Sequence, residues 1–443
     1  MAKLIEPRVL KGFRDFLPEQ EAERLRIMGL LADTFGAHGF VPIDTPILEY
    51  TEILLGKGGG ETDKQIYRFE DQGGRDVAMR YDLTVPFARY MAAHLHELYL
   101  PFRRFHMAKA FRGENTQRGR YREFVQCDFD IVGTDAASAD FEIVTMIDAA
   151  FAAMGVNDVR VHFAHRGVFN ALLASLEVES GTDEVLRVVD KLRKIGEQAV
   201  REELEALVGA RAAERVIALV SCEGTNGEIV RQMRELVPAA GEAVARIEAV
   251  VAAADALGLG GRLVVDPTIT RGLDYYTGIV FETFLTELPE IGSVCSGGRY
   301  DDLAGLYTKE RLPGVGASIG LDRLMAALAE IGASSQGGGA ADALVLCLDE
   351  SLMVHYHLIA RTLREAGLRV EVYPDPKKLA AQFTFAEKKG IPAAVICGAQ
   401  EQVAGTVNVR DLRNRSTTDG VGLGEAGAIV RAVIAGDAAA GAG

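Results

Sequence analysis

Residues 103–132, RRFHMAKAFRGENTQRGRYREFVQCDFDIV, combine two runs of alternating character with a polar, turn-rich middle, GENTQRG. This pattern predicts strand, loop, strand, which is an antiparallel hairpin with a long tip. The period of two divides the second strand into two faces. One face is mainly apolar and predicts a core, formed by Tyr121, Val125, Cys127, Phe129 and Ile131. The other predicts a polar floor, formed by Arg120, Phe124, Gln126 and Asp130.

The hairpin also carries a local excess of positive charge. Between Phe102 and Arg122, seven Lys or Arg residues stand against one acid, Glu114, for a net charge of +6 in a chain whose total is −15. Guanidinium groups at strand ends suit bidentate contact with phosphates. The charge therefore favours an anion-binding floor, and the alternative is a half-solvated sheet, the usual fate of an antiparallel strand.

The composition is that of an ordinary protein of two or three domains: 443 residues, 48% hydrophobic and 25% charged. The first residues interrupt every apolar stretch with charge, which predicts neither a signal peptide nor a membrane span. Five cysteines without a close pair suit a reducing cytoplasm and argue against a zinc site. An acidic chain would have to bind nucleic acid through local patches.

Upstream of the hairpin, the sequence predicts a helix over 18–36 and then an edge strand. In GFVPIDTPILEY, Pro42 and Pro46 exclude a central ladder position, which leaves a bare edge and a dimer seam as alternatives. Residues 79–92, MRYDLTVPFARYMA, place Thr84 where it could cap a helix beginning at Pro86. Capping explains Asp82 less well.

Downstream, residues 138–154 predict a helix, and residues 166–262, rich in Ala, Glu, Leu and Arg, predict a helical insertion. Strand character returns in 263–284. There, RGLDYYTG sets a cation, a carboxylate and two phenols between glycines, a pattern that fits either local packing or a closely approaching ligand. PGVGASIGLDRL predicts a glycine-rich strand joined to a helix, but not a phosphate-binding P-loop, because no GK[ST] follows.

These patterns divide the chain into successive parts. We expect 1–165 and 263–331 to form one domain, interrupted by the insertion at 166–262. A linker at 332–341 precedes a small α/β domain with a mainly parallel sheet at 342–436, and 437–443 forms a flexible tail.

Several of these segments resemble one family. GFVPIDTP, FRGENTQRGRYREFVQCDFDIVG and GVGASIGLDRL resemble motifs 1, 2 and 3 of class II aminoacyl-tRNA synthetases, and RGLDYYTG resembles the signature of histidyl-tRNA synthetases. SGGRYDDL and AEKKGIPAAVICG match that family too, so the resemblance covers nearly the whole chain. It implies an α+β fold: an antiparallel sheet flanked by helices, with a helical insertion and a C-terminal α/β anticodon-binding domain.

The resemblance also implies a histidine–tRNA ligase that uses ATP and Mg²⁺. Such an enzyme activates L-histidine to histidyl-adenylate and transfers it to the 3′ end of tRNA(His), releasing AMP and diphosphate. The implied partners are L-histidine, tRNA(His) and a second copy of the chain, joined through motif 1. No membrane is implied, and the expected location is the cytoplasm.

The family's site residues carry over to matching positions. Arg112 would hold the α-phosphate of ATP, Glu114 and Phe124 the adenine, and Arg120 and Arg323 the γ-phosphate end. The histidine-binding set would be Asp82, Leu83, Thr84, Arg112, Gln126, Asp130, Arg271, Tyr275 and Tyr276. Arg112 and Arg271 would be the catalytic pair, and no metal ligand is assigned. A carboxylate and a tyrosine hydroxyl facing both ring nitrogens would detect imidazole.

Two points stay open. The family differs in the carboxylate at Asp82 and Asp130, so the depth of the histidine pocket is not set, and base-reading roles for Asn115, Gln117 or Arg118 are not assigned. The alternative function is the non-catalytic, histidine-sensing regulatory subunit of ATP phosphoribosyltransferase, which shares the catalytic core. That relative typically lacks the anticodon-binding domain and an intact RGLDYYTG, both of which this chain has.

Overall fold

The hairpin forms two central strands of an eight-stranded sheet. The structure is a computed structural model that describes residues 4–56, 65–178, 182–270, 276–301, 304–332 and 341–440. Phe102–Phe111 pairs with Glu123–Val132 in antiparallel register, from Phe102 opposite Val132 to Phe111 opposite Glu123. The predicted hairpin is confirmed.

The helices and strands of the described ranges are numbered in chain order. The helices are α1 Pro18–Ala37, α2 Thr51–Leu55, α3 Thr84–His94, α4 Ala137–Ala153, α5 Arg166–Ser175, α6 Thr182–Val189, α7 Leu192–Ile195, α8 Glu197–Val208, α9 Ala210–Val220, α10 Asn226–Leu236, α11 Gly241–Ala256, α12 Leu321–Glu330, α13 Met353–Glu365, α14 Leu379–Lys388, α15 Ala399–Ala404 and α16 Leu423–Ala440. The strands are β1 Val41–Pro42, β2 Leu48–Tyr50, β3 Arg68–Glu70, β4 Asp76–Met79, β5 Phe102–Phe111, β6 Glu123–Val132, β7 Val159–His165, β8 Leu263–Val265, β9 Ile279–Leu285, β10 Cys295–Tyr300, β11 Gly314–Gly320, β12 Ala343–Val345, β13 Val370–Val372, β14 Ala393–Ile396, β15 Thr406–Asp411 and β16 Thr417–Gly422.

The large sheet has the strand order β1-β5-β6-β11-β10-β9-β7-β8. Its outermost pairs, β1 with β5 and β7 with β8, are parallel, and the inner pairs are antiparallel. β1 contains Pro42 and lies on the edge, as the missing N–H of proline requires. The predicted α+β fold, an antiparallel sheet flanked by helices, is confirmed.

One face of the sheet packs against helices. Cys127, Phe129 and Ile131 of β6 are fully buried in the same cluster as residues of α1 and α4. The ring centroids of Phe129 and Phe35 lie 4.9 Å apart. Burying a side chain of this size stabilises the fold by about 1.5–3 kcal/mol. The strand alternation thus turns the even-numbered side chains of β6 to the opposite face.

Helices α5 to α11 fill the stretch between β7 and β8, as the predicted insertion requires. Their buried side chains, such as Val216 and Ile247, belong to the same hydrophobic cluster as β6. At the start of α10 Thr225 and Glu228 form a capping box, in which each side chain accepts from the other residue's backbone N–H. Throughout the described ranges, each helix is too short or too polar to span a bilayer.

Contacts divide the chain into two compact units, Met1–Asp15 with Arg24–Ser334 and Phe16–Glu23 with Ser335–Gly443. The second unit contains a five-stranded sheet in the order β13-β12-β14-β15-β16. Its pairs β12–β13 and β12–β14 are parallel, and β14–β15 and β15–β16 are antiparallel. The predicted parallel pairing holds for β12, β13 and β14 and is wrong for β15 and β16, because the connections around α15 and after β15 are too short for parallel crossovers. α16 continues into the predicted tail, as far as Ala440.

Candidate active site

Two adjoining cavities open on the polar face of the large sheet. Their volumes are about 150 Å³ and about 670 Å³, and both are lined by Arg112, Arg120, Gln126 and Arg323. Strands β6, β10 and β11 supply the floor of both. The larger cavity falls within the usual 300–1,000 Å³ of a small-molecule site, and the smaller one extends it.

All five residues expected to bind ATP line the smaller cavity. Arg112, Glu114 and Arg120 come from the hairpin loop, Phe124 from β6 and Arg323 from the first turn of α12. Arg112 is held in place, because its Nε donates to the carbonyl oxygen of Tyr81 at 2.9 Å. Its guanidinium carbon lies 5.1 Å from the centroid of the Phe124 ring. The hairpin and α12 thus meet around one space.

This cavity is electropositive. Burial and, next, the nearby charge of Arg120 lower the pKa of Arg323 to about 10, against the opposing effect of Glu114. Glu114 itself lies 3.8 Å from Arg120. A buried cation whose pKa is depressed beside another cation gains stability when an anion arrives. The electrostatics therefore suit a phosphate group.

The positive charge of the hairpin is only partly directed at this cavity. Arg104 is fully buried, with its Nη2 2.6 Å from Asp130. Arg103 pairs with Glu142 at 2.9 Å and Lys109 with Glu123 at 2.8 Å. The sequence count of +6 therefore overstates the anion site, because these three side chains meet carboxylates instead.

The residues expected to bind histidine divide into two groups. Thr84, Arg112, Gln126 and Tyr276 line the larger cavity. Asp82 and Leu83 are fully buried and Asp130 nearly so, and the cavity linings do not include them. Arg271 and Tyr275 lie outside the described residues.

The start of α3 differs from its prediction. The helix begins at Thr84, and Asp82 Oδ1 accepts a hydrogen bond from the backbone N–H of Val85 at 3.1 Å. The prediction that Thr84 caps a helix starting at Pro86 is therefore wrong. Asp82 has the capping contact because its carboxylate reaches the free N–H groups of the first turn.

The glycine-rich strand β11 makes room for side chains of this protein. A Cβ added to Gly316 would lie 2.1 Å from Asp130 Oδ1, and one added to Gly314 would lie 2.4 Å from the Tyr300 ring. The hydroxyl of Tyr300 donates to Asp130 Oδ1 at 2.7 Å. These glycines leave room for the Tyr300 and Asp130 side chains to meet over β11, which fixes the Asp130 carboxylate beneath the cavity floor.

Gln126 has a contact pattern that suggests a ligand. Its Nε2 donates to Ser318 Oγ at 2.9 Å and lies 3.4 Å from Asp128 Oδ1. Its Oε1 is buried and has no hydrogen-bond partner in the described part of the chain. An unsatisfied buried acceptor costs about 1–3 kcal/mol, which a ligand N–H group would recover.

Two residues of this region, Asp128 and Ser318, were not predicted from the sequence. Asp128 has the same strand parity as Gln126 and Asp130, so the alternation alone could have identified it. Ser318 lies on β11, 192 residues from Gln126, and no local pattern indicates it.

Asp128 gives the site a pH dependence. Burial, opposed by Arg104 and assisted by Asp130 and Asp82, raises its pKa from 3.8 to about 7. A folded-state pKa above the unfolded value means that stability is lost as the pH rises through 7. We expect Asp128→Asn to lack this loss. The difference in thermal midpoint, variant minus wild type, should therefore increase from about pH 5 to about pH 7 and stay constant above that. Thermal unfolding across this range checks it, and a constant difference would contradict it.

The chain matches known proteins over both of its compact units. A family model described as histidyl-tRNA synthetase matches residues 12–324, and one described as an anticodon binding domain matches residues 342–432. A histidine–tRNA ligase of Treponema denticola is 50% identical over 88% of this chain and 89% of its own length.

Solved structures share the fold. The crystal structure of histidyl-tRNA synthetase from Nostoc sp. PCC 7120 superposes with a TM-score of 0.87 at 32% identity, covering 97% of this chain and 99% of that one. An ATP phosphoribosyltransferase regulatory subunit/histidyl-tRNA synthetase from Bacillus halodurans C superposes with a TM-score of 0.76, covering 89% of this chain and 99% of that one. At 24% identity, the second likeness shows the fold alone.

Proposed function

Because this chain belongs to the histidyl-tRNA synthetase family, we propose that both steps of its ligase reaction take place in the two adjoining cavities. The reaction activates histidine with ATP and transfers it to tRNA. The observation that carries the proposal is that five residues matching the family's ATP set line one cavity, and four matching its histidine set line its neighbour.

In the activation step, the histidine carboxylate attacks the α-phosphorus of ATP, the bond to the β-phosphate oxygen breaks and diphosphate leaves. Arg112 neutralises charge at the α-phosphate, and Arg120 with Arg323 holds the leaving end. Arg271 is proposed as the second catalytic cation. Positioning and electrostatic stabilisation carry this chemistry, with no covalent enzyme intermediate.

Histidine would lie in the larger cavity. Gln126 Oε1 supplies an acceptor for its ammonium group, and Thr84 and Tyr276 supply walls. Asp82, Leu83 and Asp130 act from beneath the floor, and Tyr275 completes the proposed set. Recognition of both ring nitrogens would exclude amino acids that offer only one polar atom.

A magnesium ion fits this site as a companion of ATP. Within the described ranges, no cluster of three His, Cys, Asp or Glu side chains could hold a metal. Mg²⁺ usually takes one or two carboxylates and completes its shell with phosphates and water. Glu282, which lines the larger cavity, is the carboxylate we propose, and the ion would neutralise phosphate charge.

The transfer step requires the tRNA 3′ end to reach the same cavities. Arg118 at the hairpin tip lines the larger cavity, as do Arg193 and Lys194 of α7. The charge of Lys194 suits a phosphate backbone, whereas Arg118 is paired with Glu330 and Arg193 with Asp266, so these two would exchange a carboxylate for a phosphate. We propose that 166–262 acts as the insertion domain beside the 1–165 and 263–331 catalytic parts, that 332–341 is a linker, and that 342–436 binds the anticodon.

The alternative, a regulatory subunit of ATP phosphoribosyltransferase, has no better support, since the structure so described is 24% identical and the ligase relative 50%. Histidine-dependent exchange of pyrophosphate into ATP tests the ligase function, followed by charging of tRNA(His). Absence of both would refute it. A cytoplasmic location, supported by five free cysteines, is also proposed and can be tested by cell fractionation.

A homodimer through motif 1 is proposed from exposed apolar side chains there. Val41, Ile47, Leu48 and Tyr50 are each 42–50% exposed, an unusual concentration for a bare edge. We expect Leu48→Asp to shift the protein from dimer to monomer in sedimentation velocity. Val354→Asp, at an exposed apolar position of α13, is the matched control and should leave the mass unchanged. A monomeric wild type would contradict the proposal.

A further inference from the structure

Arg14, in the segment before α1, contacts two residues that line the smaller cavity but does not line it itself. Its guanidinium carbon lies 3.8 Å from the centroid of the Tyr121 ring, and its Nη2 forms an ion pair with Asp322 Oδ1. Tyr121 and Asp322 line the cavity, whereas Arg14 does not. One side chain thus joins the hairpin loop to the first turn of α12.

Both contacted residues are neighbours of the phosphate-facing arginines. Tyr121 directly follows Arg120, and Asp322 directly precedes Arg323. Asp322 is also fixed from the sheet, because its Oδ2 accepts from the backbone N–H of Val125 at 2.6 Å. Any displacement of Arg14 therefore acts on the two chain segments that carry Arg120 and Arg323.

The backbone beside Arg14 is attached to the same loop. The carbonyl oxygen of Gly12 accepts from the N–H of Arg122 at 2.8 Å. Gly12 has a φ of +88°, and a Cβ there would lie 2.6 Å from Cγ of Arg122. The close approach requires glycine, so the segment Gly12–Arg14 is held against the base of the hairpin loop at two points.

A fixed arrangement matters because Arg120 and Arg323 carry like charges. They repel each other until an anion lies between them, and a loop free to move would separate them. Holding them in position beforehand reduces the ordering cost of binding a polyanion. Arg14 can do this because its own charge is neutralised by Asp322 and its plane is covered by Tyr121.

We propose that Arg14 is a positioning residue, which holds Arg120 and Arg323 together to receive the distal phosphates of ATP. The inference rests on the proposed function, since it assumes that ATP occupies the smaller cavity. It assigns Arg14 no contact with the nucleotide. Its effect should therefore concern the β- and γ-phosphates and spare the adenosine and α-phosphate.

Calorimetric titration of the full chain with ATP and with AMP separates these contributions. We expect Arg14→Ala to weaken ATP binding about tenfold and AMP binding less than twofold, with an unchanged thermal midpoint. Arg14→Lys keeps the charge but loses the planar stack, so it should lie between. Arg8→Ala, at an exposed arginine of the same segment, is the matched control and should bind both nucleotides normally.

Asp322→Asn provides an independent route if Arg14→Ala does not fold. It keeps an acceptor for the Val125 N–H but loses the ion pair, and it should weaken ATP binding more than AMP binding. Unchanged ATP affinity in these variants, while the wild type binds ATP, would overturn the role of Arg14 alone. Equal losses for ATP and AMP with a lowered midpoint would assign Arg14 a purely structural role. A wild type that binds no ATP would overturn the proposed function and this inference together.

Discussion

Arg112→Ala should reduce histidine-dependent pyrophosphate exchange by about 10²–10³-fold, the cost typical of removing one donor that faces developing charge. Arg112 lines both cavities, so it can reach the α-phosphate between the nucleotide and histidine. Its Nε is already satisfied by the Tyr81 carbonyl, which leaves the remaining guanidinium nitrogens for the substrate. Exchange rates at saturating ATP and histidine measure the loss.

The matched control is Arg103→Ala, at the start of β5, the strand that leads into the loop carrying Arg112. Arg103 pairs with Glu142 away from the cavities, and a partly exposed pair of this kind contributes about 1 kcal/mol or less. Its exchange rate should remain close to that of the wild type. If Arg112→Ala also kept an exchange rate within about threefold of the wild type, Arg112 would have no catalytic role.

Of the substitutions proposed for this protein, Asp140→Ala should lower the free energy of unfolding most. Asp140 of α4 is fully buried, and its Oδ1 accepts from Arg299 Nη2 at 2.7 Å and from Arg299 Nε at 3.0 Å. Its Oδ2 accepts from Arg246 Nε of the insertion at 2.6 Å. Removing one partner of a buried ion pair leaves the other charge buried without compensation, which lowers the free energy of unfolding by about 3–5 kcal/mol. Urea unfolding, followed through its midpoint and slope, measures this loss.

Asp135→Ala is the control for that substitution. Its carboxylate is about half exposed and lies 3.3 Å from Arg246 and 3.4 Å from Arg299. Removing this more hydrated partner should cost about 1 kcal/mol or less. Equal losses for the two variants would show that burial does not set the strength of this network.

Much of the fold followed from local pattern. Period-two alternation predicted the β5–β6 hairpin and the burial of Cys127, Phe129 and Ile131, because a strand turns successive side chains to opposite faces. The net charge of the hairpin, in contrast, overestimated the positive charge available to a ligand. Arg103, Arg104 and Lys109 pair with acids that strand periodicity does not reveal. Strand periodicity also could not show the mixed polarity of the second sheet, which depends on the length and path of its connections.

The family, the hairpin and the residue types available for ATP and histidine all follow from the sequence alone. Those signals are local, because backbone geometry and motif spacing act over a few residues. The folded chain was needed to show that Ser318 accepts from Gln126, that Asp128 lies 3.4 Å from the same amide and that Arg14 joins Tyr121 to Asp322. Such contacts join residues that are in some cases hundreds of positions apart, and their geometry exists only once the strands and helices have packed in one register.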